Sequence, residues 1–398
     1  MRIAFITHYS ALYGANRSLL DLIEGLMPLG VEPFVVIPDN GEIVPYLKDL
    51  GVPFYITPHQ SWVGVFDPKI GRGIFKQYIR WLRDVFSKIR KNIGIIPNVI
   101  NKFREWDIEL IYSNSSVIPL GAVAAIWMKK PHVWHIREFC DLDYNLTYDW
   151  GNSVTNYIFR KSDSYICVSK AICSHYASRF KKNRSHVVYN GVATLAEIDK
   201  FNQLPLFKHK DNKFVFSLVG LIHPCKGQET AIRALGILNK TFAYDNVELL
   251  IVGGGDIKAL KELAVEIGVS ERVIFLGYTD NPFNIYLLSD VVLMCSENEG
   301  MGRVTAEAMA AGRPVIAYNG GGSVELVLHE LNGLLYDGKE EALSKCMHRV
   351  IENPEWVKEM GKNGSQLAKD KYTIENYAGN VFTILSDLLV KKNVKSTF

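Results

Sequence analysis

Two carboxylates, Glu299 and Glu307, stand eight residues apart in the stretch CSENEGMGRVTAEAMAAGRPVIAYNGGGSVEL at 295–326. The stretch reads as a strand ending at Cys295, a loop holding Glu299-Gly-Met-Gly302, and a helix of strong formers from Val304. Gly300 and Gly302 let the backbone approach a ligand closely. The N–H groups of Gly302, Arg303 and Val304, at a helix start, offer an anion site. One glutamate sits in the loop and the other on the first turn, so they need not share a role. A first-turn glutamate by itself also serves as dipole compensation. A second glycine run, Gly320–Gly322, precedes a helix with Glu325 near its start, and a third, Gly253–Gly255, follows the run LLIVG. One glycine run after a strand marks any tight turn. Three at the carboxyl ends of strands mark the edge where open α/β sheets bind ligands.

Other candidates carry weaker signals. His135 in HVWHIRE alternates with apolar neighbours on a strand, which fits a ligand-facing histidine or a satisfied core histidine. Arg137-Glu138 reads as an ion pair, and Asp141-Leu-Asp143 has a metal-type spacing that two loop acids reach by accident. No Ser/His/Asp elbow, H-E-x-x-H or P-loop pattern occurs, so hydrolase, zinc protease and P-loop readings lack support.

These residues need a scaffold. Short β-branched runs recur at 3–7, 33–37, 109–113, 132–136, 165–169 and 186–190, then at 214–220, 247–253, 273–277, 291–295, 314–318 and 333–336. A helical segment separates most neighbours. This alternation predicts parallel sheets with helices on both faces, in two doubly wound domains. A length of 398 residues agrees, because single cores stop growing at roughly 250–300 residues. Residues 1–193 form the first predicted domain, 194–212 a polar linker, and 213–373 the second domain. The last helix, within 374–398, is expected to join the first domain.

Composition narrows the class further. With 48% hydrophobic and 22% charged residues the chain is globular, and a formal charge of +3 gives no reason to expect a nucleic-acid partner. Residues 71–105 nevertheless hold nine Lys/Arg against two acids. On a helical wheel over 73–92, Ile74, Phe75, Tyr78, Ile79, Trp81, Leu82, Val85, Phe86 and Ile89 cover one face. Lys76, Arg80, Arg83, Lys88, Arg90 and Lys91 cover the other. Such a helix either packs on its own domain or meets an anionic membrane surface, and both can hold. Six cysteines without C-x-x-C spacing read as buried thiols in a reducing compartment. The start MRIAFITH lacks a signal-peptide pattern and no apolar run reaches 18 residues. The expected location is cytoplasmic, or peripheral on the inner face of the cell membrane.

The spacing in ENEGMGRVTAEAMAAGRPVIA resembles the signature of the retaining glycosyltransferases of family 4, which have the GT-B architecture. VGLIHPCKGQETAIRAL (219–235) is similar to the same family's phosphate-binding strand–loop–helix, and LLIVGGG, VIFLGY, NGGGSVELV, NGLLYD and VYNGV fall in the expected order. HYSALYGANRSLLDLIEGL and PHVWHIREF resemble the first domain more loosely. The resemblance implies an α/β fold of two Rossmann-like domains facing across a cleft. It implies metal-independent transfer from a UDP- or GDP-linked sugar to a glycan or lipid-linked acceptor, in polysaccharide biosynthesis of the bacterial surface type, with no cofactor. Glu307 would accept from the ribose hydroxyls, and Lys226 would meet the diphosphate. Glu299 would lie against the transferred sugar, and Gly302 and Val304 would orient it. Tyr278 would sit beside the base, Gly14 would approach the diphosphate from the first domain, and His135 would stand near the donor sugar. The family's usual Arg is Leu221 here, and Arg303 is the expected substitute. Two rivals follow from the same resemblance: a GT-B sugar-nucleotide epimerase or sugar-phosphate synthase, and an inactive sugar- or nucleotide-binding subunit.

Overall fold

The computed structural model describes residues 1–65, 74–204 and 213–396. Met1–Tyr189 with Tyr377–Phe398 make one compact unit and Asn190–Asn376 the other. The first unit holds β1 (Arg2–Ile6), β2 (Glu32–Ile37), β3 (Phe54–Ile56), β4 (Val63–Val65), β5 (Leu110–Ser113), β6 (His132–Ile136), β7 (Leu146–Tyr148), β8 (Ser164–Cys167) and β9 (Ser185–Val187). Seven of them form a parallel sheet in the order β3-β2-β1-β5-β6-β8-β9, while β4 and β7 pair antiparallel as a separate ribbon. The sequence predicts six of these strands. It does not predict β3, β4 and β7, three residues each.

The second unit holds the six predicted strands β10 (Phe214–Val219), β11 (Val247–Val252), β12 (Val273–Gly277), β13 (Val291–Met294), β14 (Val315–Tyr318) and β15 (Gly333–Tyr336). Their order, β12-β11-β10-β13-β14-β15, is the doubly wound one, and the chain reverses its direction of travel across the sheet between β10 and β13. Phe216 and Leu218 pack into one buried cluster and Val215 into another. Alternate residues of β10 thus face opposite ways, and the sheet is covered on both sides.

Two sequence expectations change. The predicted linker begins with an ordered helix, Leu195–Gln203, closed by a capping box: the Thr194 hydroxyl accepts from Glu197 N–H, and the Glu197 carboxylate accepts from Thr194 N–H at 2.8 Å. Val192 N–H donates to Tyr372 O, Ile374 N–H to Ala193 O, and Asn202 Nδ2 to Ser365 Oγ at 2.7 Å, so this segment belongs to the second unit. The unit boundary falls at 189/190, and the remaining linker residues, 205–212, lie outside the described residues. The basic helix runs over Ile74–Glu105, with Gly73 and the side chains of Ile74, Phe75 and Gln77 outside the described residues. Lys88 leaves the predicted cationic face. Its Nζ donates to Val63 O and to Asp149 Oδ2, both at 2.7 Å, and the Asp149 side chain is 1% exposed. A buried carboxylate draws in the nearest long cation.

The helix Ile374–Ser396 returns the chain to the first unit from Tyr377 onward. Its Tyr377, Ala378, Val381, Leu385 and Leu388 are buried in the cluster that holds Leu22, Ile23, Val35 and Leu110. Leu385→Ala is expected to cost about 2–5 kcal/mol. Hydrogen exchange should then quicken in β1, β2 and β5 and stay unchanged in β10–β15; equal acceleration in both units would contradict this assignment.

Candidate functional site

The switch point of the second unit gathers the residues singled out by spacing. After β10, Pro224–Lys226 form one 3-10 turn, closed by Gly227 at φ +71°. A Cβ on Gly227 would lie 2.5 Å from Cβ of Cys295, the residue after β13, so glycine lets the two strand ends meet. Lys226 Nζ then donates to Glu299 Oε2 at 2.8 Å across the gap between the loops. The Ser296 hydroxyl and the Gly302 N–H add to the field that favours its charged form. Burial pushes the Glu299 pKa up, but Lys226, Ser296 and Gly302 together outweigh it and hold the carboxyl below its ordinary 4.5.

Gly302, at φ +82°, caps the helix Arg303–Ala310, with Val304 its half-buried second residue. The glycine run 320–322 braces that loop: Gly322 N–H donates to Glu299 O at 2.7 Å, and a Cβ on Gly322 would stand 2.3 Å from Gly300 O. The run 253–255 supports the other side, where Ile222 N–H donates to Gly254 O at 2.9 Å.

Glu307 is almost fully buried and clamped from two sides. Arg303 Nε donates to Oε1 at 2.6 Å, and Tyr286 OH donates to Oε2 at 2.7 Å. Arg303, expected beside a diphosphate, is thus held one helical turn along at the other carboxylate. Tyr286 escaped the sequence reading. It lies on the short helix Phe283–Leu288, which carries no motif, and meets Glu307 only through the fold. Tyr278, just past β12, is exposed.

In the first unit β1, β5 and β6 end side by side. Gly14 is the first residue of the helix Gly14–Leu26, and a Cβ there would meet nothing within 4 Å, so the backbone is open to close approach. His135 lies inside the sheet of the first unit. It is 0% exposed within β6, with Nδ1 facing the Tyr112 hydroxyl and accepting from Arg137 NH2 at 3.2 Å. Burial and the Arg137 charge push its pKa well down, so the ring is neutral with the proton on Nε2, which has no partner among the described residues. Arg137, just past the strand, takes the mouth: Nε donates to Asn114 Oδ1 at 2.8 Å and NH2 to Tyr377 OH at 2.9 Å. Glu138 instead faces the β5 exit, where its Oε1 accepts from Ser115 Oγ at 2.6 Å and Ser116 Oγ at 3.1 Å. Asp141 pairs with His175 Nε2 at 2.8 Å. Among the described residues no three His, Cys, Asp or Glu side chains gather into a metal site.

Two family models match the sequence, Glycosyltransferase Family 4 over residues 13–194 and Glycosyl transferases group 1 over 199–367. An uncharacterised glycosyltransferase of Haemophilus influenzae is 30% identical over 270 residues, 67% of this chain and 72% of that protein. The chain belongs to the family 4 glycosyltransferases. Another uncharacterised glycosyltransferase, of Methanocaldococcus jannaschii, is 30% identical over 244 residues; the match spans 58% of this chain and 62% of that protein's length. The crystal structure of Anabaena HepE in complex with UDP superposes with a TM-score of 0.75 at 21% identity, covering 97% of this chain and 100% of that one, which establishes the GT-B fold.

In this glycosyltransferase, then, each signature glutamate of the second unit is balanced by one cation. The Lys226–Glu299 pair has a testable sign. Because Glu299 titrates below its ordinary 4.5, the stability the pair gives is complete above that pH and is lost as pH falls through the lowered value. Lys226→Met should cost about 1–3 kcal/mol at neutral pH. Urea unfolding of both proteins in neutral and in acid buffer should show the gap closing in acid; a gap independent of pH would remove the pair from this account.

Proposed function

We propose that this glycosyltransferase moves a sugar, with retention and without a metal, from a nucleotide-diphosphate sugar to a glycan or lipid-linked acceptor in polysaccharide assembly. One observation carries the reading: at the switch point, Lys226–Glu299 and Arg303–Glu307 place two carboxylates and two cations on the turn after β10 and on the loop and helix after β13. Glu307 is shaped to take a ribose diol, since carboxylate–hydroxyl bonds are charge-assisted and directional. Lys226 is a compact cation suited to the leaving diphosphate. When Lys226 turns to the diphosphate, Glu299 is released to face the sugar ring, where its carboxylate can stabilise developing positive charge. Solved complexes of HepE with UDP and with UDP-glucose support trying uridine donors first. No helix among the described residues is long and apolar enough to cross a membrane. The exposed Arg80, Arg83, Arg90 and Lys91 of the helix Ile74–Glu105 support a peripheral site on an anionic inner-membrane surface, where a lipid-linked acceptor would be met.

A binding subunit without turnover is the second reading, favoured by Leu221: an apolar side chain, 42% exposed, stands where the signature has a guanidinium. Thermal unfolding with UDP, GDP, ADP and their sugar conjugates decides the donor. A nucleotide at about 100 times its Kd adds about 2.7 kcal/mol. The shift is expected for one base and lost in Glu307→Ala and Lys226→Ala; no shift with any nucleotide would overturn the donor site. Arg303→Ala is expected to weaken donor binding at least about tenfold, a change of about 1.4 kcal/mol. Product NMR then reads turnover and the anomer: a retained anomer supports the proposal, binding without transfer supports the subunit, and an epimerised nucleotide sugar supports an epimerase.

A further inference from the structure

Charge is divided unevenly between the two units. Residues 1–189 and 377–398 carry 26 Lys/Arg against 17 Asp/Glu, a formal +9, whereas residues 190–376 carry 19 against 25, a formal −6. Within the first unit the helices Ile74–Glu105, Leu120–Met128 and Gly151–Lys161 pack side by side in that order. Their outer sides carry large apolar groups that a core would normally take up: Phe86 is 68% exposed, Trp127 67% and Tyr157 57%. On the first of these helices, Ile79, Arg83, Phe86, Arg90 and Ile93 recur at helical spacing along one exposed stripe, apolar and cationic by turns. Exposed apolar groups gathered on one face and rimmed by charge mark an interaction surface.

The third helix adds a shaped feature. An open depression of about 580 Å³ is lined by Ser153, Asn156, Tyr157, Arg160, Lys161 and Lys181. Lys161 Nζ lies 5.1 Å from the centre of the Tyr157 ring. Arg160 NH2 donates to Ser178 O at 3.2 Å, and Arg179 NH1 donates to Asn156 Oδ1 at 2.8 Å, so hydrogen bonds across to the neighbouring loop hold the rim. Residues 150–190 contain seven Lys/Arg and one acid, Asp163.

We infer that this depression receives the phosphodiester headgroups of anionic phospholipids, making the three-helix face a bilayer-docking surface. The inference rests on the membrane-proximal reading above and extends it from one helix to a face. Charge complementarity selects the occupant. Arg160, Lys161 and Lys181 donate to phosphate oxygens, and the Ser153 hydroxyl and Asn156 amide suit a polar headgroup. Trp127 and Tyr157 are amphipathic rings of the kind that settle at headgroup depth. The Ile79–Phe86–Ile93 stripe enters the acyl boundary.

Sedimentation of the full chain at low salt with phosphatidylcholine vesicles, with and without phosphatidylglycerol, tests this. Binding is expected only with phosphatidylglycerol. Each surface cation contributes about 1 kcal/mol, so the triple variant Arg160→Ala/Lys161→Ala/Lys181→Ala should partition about 100-fold less, with unchanged thermal unfolding. Tyr157→Ser, which alters no charge, should weaken binding as a second test. Should both variants bind like the wild type while Arg80→Ala/Arg83→Ala/Arg90→Ala does not, the depression is no headgroup site and only the helix reading survives. Should the wild type ignore phosphatidylglycerol vesicles, both fall. Retention of inorganic phosphate or of polygalacturonate without vesicle binding would also overturn the inference, in favour of a soluble anion or an acidic glycan.

Discussion

The ion pair between Lys226 and Glu299 joins the loops after β10 and β13, and those two loops are neighbours only because the sheet reverses its winding between them. A strand order that separated β10 from β13 would part the two side chains. Nor does the sheet alone suffice. The pair closes because Gly227 lets one turn rest on Cys295 and Gly322 lets another rest on the carbonyl of Gly300. A methyl group at either position would collide with its neighbour, so the glycine runs act by contact distance more than by flexibility. The stretch that carries Glu299 is thus held from both sides by backbone, and its carboxylate has little freedom left but to face the cation.

Much of that site is legible as spacing. Glu299, Glu307, Lys226 and the glycine runs lie within continuous motifs, and the strand–helix alternation that places them at one edge is a strong local signal. What resisted reading is contact between segments distant in sequence. Tyr286 reaches Glu307 from a helix of six residues, and Lys88 is drawn off its face by Asp149, sixty-one positions away. His135 is ambiguous for a different reason. In a parallel strand buried on both faces, alternation with apolar neighbours no longer separates a ligand side from a core side, and every residue of β6 is buried. The helix at Leu195–Gln203 was readable, since T-L-A-E is a capping-box pattern, but one proline and a polar composition suggested a linker.

Local and net charge point in opposite directions. The unit that carries Lys226 and Arg303 is formally negative, and both cations already have carboxylate partners. Long-range attraction therefore contributes little to drawing a diphosphate there, and net charge at this scale speaks to association with large surfaces more than to a site. What a site of this kind offers an anion is exchange of partners. Lys226 is 27% exposed and Glu299 19%, enough for water or a ligand to reach the pair without unfolding the loop.

Exchange of that kind also explains why each glutamate needs a cation while no substrate is bound. A partly buried carboxylate without a partner would take up a proton or relax toward solvent, and either response would dissolve the geometry of the proposed donor site. Lys226 holds Glu299 ionised, and Lys226 and Arg303 hold the two carboxylates in place. In the proposed donor complex, a diphosphate for the lysine and hydroxyls for the carboxylates would replace one set of charge-assisted bonds with another. On this argument the resting pairs act as preorganisation: the site keeps its charges fixed before the substrate arrives, so little reorganisation remains for the reaction itself.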